Sequence, residues 1–257
     1  MLAFLTGFAV GRFGILRLLA AVAAVVVAAG VAGTALVAQN PISSAGAPAP
    51  GVLPTASAGT SDQRGLQLVD PETAAAAIYA VPTADVGYRS DYNRDAFGQA
   101  WSDDQDELYG HDGCDTRNNI LRRDLVDVEV RPNTNGCVIV AGRLDPEPYT
   151  VTARQFVKAH ADQLQVDHVF PLAAAWDAGA SNWTPQQRVN FANDPLNLLL
   201  VDGSLNQAKG ASTPAEWMPP NPAVGCSYAY RFALVATKYR LPISVGDRIA
   251  MTNACGS

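Results

Sequence analysis

Residues Asp167–Gly210 read DHVFPLAAAWDAGASNWTPQQRVNFANDPLNLLLVDGSLNQAKG, and the fold class turns on how that stretch is parsed. Val166–Val169 is a short apolar run with Pro171 placed to end it, and it reads as a strand. Leu198–Val201 is an unbroken LLLV run of strand length. A turn at Asp202-Gly203 leads into a short helix carrying Asn206 and Lys209, which lie three apart and share a helical face. The order is strand, long insertion, strand, helix. Within the insertion Thr184-Pro185-Gln186-Gln187 is a helix start, with a Thr cap, Pro at the first position and Gln at the third, predicting a helix to about Phe191.

The polar residues of this stretch are Asp167, His168, Asn197, Asn206 and Lys209. Phosphodiester hydrolysis needs a base to activate water, an electrophile to offset charge on the phosphate, and stabilisation of the leaving alkoxide. His168 is the natural base, because an imidazole titrates near neutral pH. Asp167 supplies a hard oxygen for Mg²⁺ or a similar ion, and the Asn206 carboxamide is a candidate second ligand. Asn197 is placed to hold the imidazole or the backbone of the opposite strand, and Lys209 to neutralise a phosphate oxygen or the leaving group. One difficulty is visible at once. Consecutive strand residues point to opposite faces, so Asp167 and His168 need a twist or a strand end to address one site.

Outward from this stretch, DTRNNILRRDL predicts a helix capped by Asp115 and ending near Leu125, with Ile120 and Leu121 inward. VDVEVR and CVIVAGRL then form two strands joined by PNTNG, and a weak edge segment follows around Tyr149–Phe156. Tyr92, Phe97 and Trp101 belong to an irregular lead-in. Downstream, Thr213–Glu216 repeats the cap-and-proline device before the stop PPNP. Val224–Tyr239 has the length of a buried helix, and Ser244–Asp247 opens a last one. Four cysteines without a CxxC pair favour disulfides over zinc or redox chemistry. Cys114–Cys137 would staple helix to hairpin and Cys226–Cys255 would join the last two helices, although four cysteines permit three connectivities. Trp176 and Trp183 read as packing residues that could instead stack on bases. Arg117, Arg122, Arg123 and Arg188 read equally as phosphate contacts or as solvated helix faces.

The chain is acidic, with 18 Lys and Arg against 24 Asp and Glu. That argues against a broad nucleic-acid-coating surface but not against a local basic cleft. Leu18–Ala38 has no charge and follows Arg12 and Arg17, so residues 1–38 read as a signal peptide or a membrane anchor. Either places the remainder outside the cytoplasm, secreted or tethered, where disulfides persist. Residues 39–86 are a Pro/Ala/Gly/Ser-rich linker with a short Ala-rich helix at Pro71–Ala80, and residues 87–257 form the folded domain.

The order D-H-V-x-P, then N-L, then N-x-x-K-G resembles the HNH nucleases. The longer pattern is similar to exported HNH endonucleases related to the C-terminal part of GmrSD-type restriction enzymes. GQAW, GCDTRNNIL and RDL upstream share it, so the resemblance spans roughly Gly87 to Cys255. It implies an α+β fold, a ββα-metal (His-Me) finger with a helix–hairpin lead-in and C-terminal helices. It also implies His168 as base, Asn197 as the middle Asn, Asp167 and Asn206 as ligands of one divalent ion, and Lys209 as an accompanying basic residue. Asn rather than His at 206 favours Mg²⁺ or Mn²⁺ over zinc. The substrate implied is DNA, with RNA possible, cut with low sequence specificity, since no readout motif is present. An immunity partner is left unspecified. Two alternatives stand beside the nuclease: a non-catalytic cell-envelope binding module on the same scaffold, and a phosphoesterase for a non-nucleic polymer.

Overall fold

The computed structural model describes residues 65–256; the apolar segment to Ala38 and most of the linker fall outside them. The described chain is α+β, as the sequence implies. Helix α1, Pro71–Ala80, starts under an Asp70 cap that accepts from Thr73 N at 2.8 Å. Helix α2, Thr116–Asp124, is capped by Asp115 and runs directly into strand β1, Leu125–Val130. Strands β1, β2 (Ile139–Leu144) and β3 (Arg154–Val157) form an antiparallel sheet in that order.

A second sheet has two antiparallel strands, β4 (Leu164–His168) and β5 (Leu198–Asp202), in register from Leu164 opposite Asp202 to His168 opposite Leu198. The insertion between them folds into α3 (Leu172–Asp177) and α4 (Pro185–Asn193), the latter opened by the Thr184/Gln187 capping box. Helix α5, Gly203–Lys209, follows β5 without a spacer, its first turn capped by the Asp202 carboxylate. Gly203 permits this sharp exit, since a Cβ there would stand 2.0 Å from the Asp162 carbonyl oxygen. Helices α6 (Gly225–Tyr239) and α7 (Val245–Ala254) complete the chain.

The β4–β5 ribbon is a partition. Leu164, Val166, Leu198 and Leu200 face one core with Ile120, Leu121, Ile139 and Phe156. Leu199 and Val201 face the other, with Tyr149, Tyr228, Phe232 and the aromatic residues of the insertion. Every β5 residue is therefore buried, which is why LLLV carries no alternation. Disulfides brace both ends, Cys114–Cys137 from the start of α2 to the hairpin and Cys226–Cys255 between α6 and α7.

Two local expectations change. Helix α1, read as part of the linker, buries Ala74 and Ile78, with its C-cap Val81, in the larger core against α6 and α7, so packed structure begins N-terminal of Gly87. Thr213–Glu216 makes only one turn, closed by Trp217 N to Thr213 O at 3.0 Å, because the prolines at 219 and 220 remove the donors a longer helix needs.

Candidate active site

In the antiparallel ribbon, residues opposite one another share a face. Asp167 pairs with Leu199 on the side of the larger core, whereas His168 pairs with Leu198 on the other side. Both residues nonetheless border one hollow. Asp167 is buried at 4% exposure; one carboxylate oxygen accepts from Tyr149 Oη at 2.5 Å, the other from Lys209 Nζ at 3.0 Å. Lys209 is 1% exposed and also donates to the His168 carbonyl at 2.8 Å. Burial raises the Asp167 pKa, opposed by the Lys209 charge and by hydrogen bonds from Tyr149 and Lys209. Burial and the adjacent carboxylate push the Tyr149 hydroxyl well above its ordinary value, so it stays a donor.

His168 lies half-buried with Nε2 2.8 Å from the Ala192 carbonyl oxygen, at the end of α4. A carbonyl only accepts, so the neutral ring carries its hydrogen on Nε2 and leaves the Nδ1 lone pair free. The indole of Trp101 lies parallel to the imidazole, 9° between planes and 6.0 Å between centroids. Burial, reinforced by the cations Arg94 and Lys209 and opposed by the bond to Ala192, pushes His168 down to about 4. The ring is therefore an unprotonated base at neutral pH.

Asn197 is fully buried and does not touch the imidazole. Its carboxamide brackets the Phe170 backbone, accepting from N at 2.8 Å and donating to O at 3.1 Å, while its own carbonyl accepts from Val169 N at 2.8 Å. It fixes the segment that leaves His168. Arg123 and Arg231 hold the turn carrying Asn197, each donating to the carbonyls of Pro195 and Leu198.

Two adjoining hollows meet at His168 and share Arg94 and Leu172. One runs along β4 and is lined by Asn206, with Asp167 in its wall; the other lies toward Trp101 and Asn193. Arg94 is exposed and forms no ion pair among the described residues, so it supplies a cation to both. Asn206 is half-buried and donates to Gln165 Oε1 at 2.9 Å, leaving its own oxygen as an acceptor. Among the described residues no group of three or more His, Cys, Asp or Glu could hold a metal. Asp167 accepts from an ammonium and a phenol, and Gln165 Oε1 accepts from Asn206, so among the described residues the Asn206 oxygen is the hard acceptor left over at this hollow.

Of the residues singled out in the sequence, the structure brings Asp167, His168 and Asn206 to one cleft, places Asn197 behind it, and buries Lys209 against Asp167. Trp176 and Trp183 pack, the first donating to Asp91 and the second against Phe191 and Tyr239. Arg188 spends its guanidinium on backbone carbonyls, including that of Ala96 at 2.8 Å. Sequence reasoning missed Arg94, Trp101 and Tyr149 as site residues. Trp101 and Arg94 sit in a polar stretch without period; the signal was the lead-in's concentration of aromatic side chains.

By geometry, the chain is a disulfide-braced α+β protein built on a strand–strand–helix finger with a neutral imidazole at the strand end. Residues 115–242 match the family described as GmrSD restriction endonucleases, C-terminal domain. The chain is related to those enzymes through that domain, which supports nuclease activity and a divalent metal at the level of the family. A protein of Arthroderma benhamiae named "Uncharacterized secreted protein" is 37% identical over 145 residues, 54% of this chain and 66% of that protein. The chain thus spans just under two thirds of that relative. No solved structure matches.

Proposed function

We propose that this chain is an exported HNH-type endonuclease that hydrolyses phosphodiester bonds in DNA, and in RNA where it fits the cleft, with low sequence specificity. The observation that carries the reading is the setting of His168: it lines the cleft beside Arg94 with Nε2 2.8 Å from Ala192 O, which leaves Nδ1 as the basic nitrogen. His168 Nδ1 takes the proton of the attacking water. Arg94 faces the phosphate oxygens, and Asn197 keeps the strand end from shifting as the proton moves. A hydrated divalent cation, Mg²⁺ or Mn²⁺, would be held by Asn206 and would supply charge offset at the phosphate. Asp167 and Lys209 brace that wall from behind. Export fits the uncharged segment at Leu18–Ala38, the two disulfides and the secreted relative. Among the described residues no helix is long and apolar enough to cross a membrane.

The test is supercoiled plasmid incubated with the protein and Mg²⁺ or Mn²⁺, with and without chelator, beside His168→Ala. Metal-dependent nicking that the variant lacks is expected. Absence of nicking, or nicking that the variant retains, overturns the reading.

A further inference from the structure

The hollow on the Trp101 side of His168 has a feature that the water-activating chemistry leaves unused. Asn193 lines it at 1% exposure; its Nδ2 donates to the Val189 carbonyl at 2.9 Å, which fixes the amide orientation. Its Oδ1 is buried and has no hydrogen-bond partner. Buried acceptors are nearly always paired, and an unpaired one lining a hollow can take a donor from outside the chain, a water or a ligand. Around it the walls mix polar and apolar groups. Trp101 and the core residue Phe97 line the hollow, and the exposed residues Arg94, Asp95 and Gln99 stand among its lining groups. Gly98 belongs to the same wall at φ +83°, where a Cβ would come within 2.6 Å of Val189 Cγ2, so the wall is drawn tight against α4.

A scissile phosphate over His168 carries a substituent on each side. Both sides mix polar and apolar lining; what sets the Trp101 side apart is the indole face and a buried, unpaired acceptor, with the Arg94 cation between the two. We propose that the Trp101 hollow is a subsite for the nucleobase adjacent to the bond being cut. The base lies against Trp101, and an N–H on its edge donates to Asn193 Oδ1. This rests on the phosphodiesterase reading of His168, and it makes Trp101 and Asn193 binding residues. A stacking face with one edge-reading acceptor tolerates all bases, since each has a π face and an N–H donor can be found on each.

The experiment uses short single-stranded oligonucleotides, intact or carrying one abasic position on either side of a fixed cut site. Binding is measured first by tryptophan fluorescence, using His168→Ala so that nothing is cleaved. Cleavage follows with the unaltered protein and with Trp101→Leu and Asn193→Ala. On one side of the cut only, the abasic position should lower affinity and kcat/KM by about tenfold. Trp101→Leu should lower kcat/KM on the intact strand by a similar factor, with little further loss on the abasic one. Equal losses on both substrates mean that Trp101 only props His168, and they overturn the subsite. So does an abasic strand bound and cut as well as the intact one, with the nuclease reading left standing. Base-dependent binding without cleavage by the unaltered protein keeps the subsite and sinks the nuclease. Neither binding nor cleavage overturns both. Asn193→Ala guards against a Trp101→Leu protein that fails to fold, since it should lower affinity for the intact strand alone.

Discussion

Asp167 and His168 are adjacent in the chain and live in opposite surroundings. His168 lies on one face of the ribbon, half-buried at an open cleft, with one ring nitrogen tied to a backbone carbonyl and the other free. Asp167 lies on the other face, closed between an ammonium and a phenol. The strand's two-residue period enforces the split. It teaches that a dipeptide which looks like one chemical unit can divide its work, one residue acting on a ligand and the next holding the platform. The two faces should then fail differently when altered, one in rate and the other in stability.

The largest effect belongs to the cleft face. Removing a general base costs about 10²–10⁴-fold in kcat, so His168→Ala should abolish detectable nicking. Its melting temperature should stay close to that of the unaltered protein, because the neutral ring leaves no buried charge behind. Equal collapse of rate and melting temperature would erase the division proposed here.

The core face comes next. Removing one partner of a buried ion pair strands the other charge, at about 3–5 kcal/mol. Lys209→Met and Asp167→Asn should each lower unfolding free energy by that order, read by chemical denaturation. The double variant should recover much of the loss, because neither charge is then stranded. Additive losses would mean that the two side chains do not act as a pair. Were Asp167 chiefly a metal ligand, Asp167→Asn would instead weaken divalent-ion dependence with little change in stability, and this comparison would have to be redrawn.

How much of this was legible beforehand follows from where each signal sits. The finger was readable because β4, β5 and α5 carry their cues locally: a proline after the first strand, four apolar residues in the second, and an Asp-Gly turn before the helix. Capping boxes at Thr184 and Ser244 were readable for the same reason. Tyr149 was not. It reaches Asp167 across 18 residues and through the turn region between two sheets, so nothing local marks it. Trp101 and Arg94 come from an irregular segment whose residues have no shared face until the insertion folds beneath them. Asn197 was readable as important and ambiguous in role, since a buried carboxamide serves a ring or a backbone equally well; only the structure chooses the backbone of Phe170.

The smallest expected effect is the most discriminating about His168. An imidazole at its ordinary pKa would lose about 25-fold of its neutral fraction between pH 7 and pH 5. Held down to about 4, His168 should keep nearly all of it, so kcat/KM for nicking should change less than about twofold across that range and fall only near pH 4. The stability consequence has a definite sign. Between the ordinary value near 6.5 and the native value near 4, the unfolded chain takes up a proton that the native chain does not. His168 therefore contributes stability that is present above the unfolded pKa and lost as pH falls through this window. His168→Gln, which removes the titration, should flatten that part of the profile while leaving the Asp167–Lys209 face unchanged. A rate that drops between pH 7 and 6 would place the imidazole in water rather than under Trp101, and would remove the basis for treating the two faces of β4 as chemically distinct.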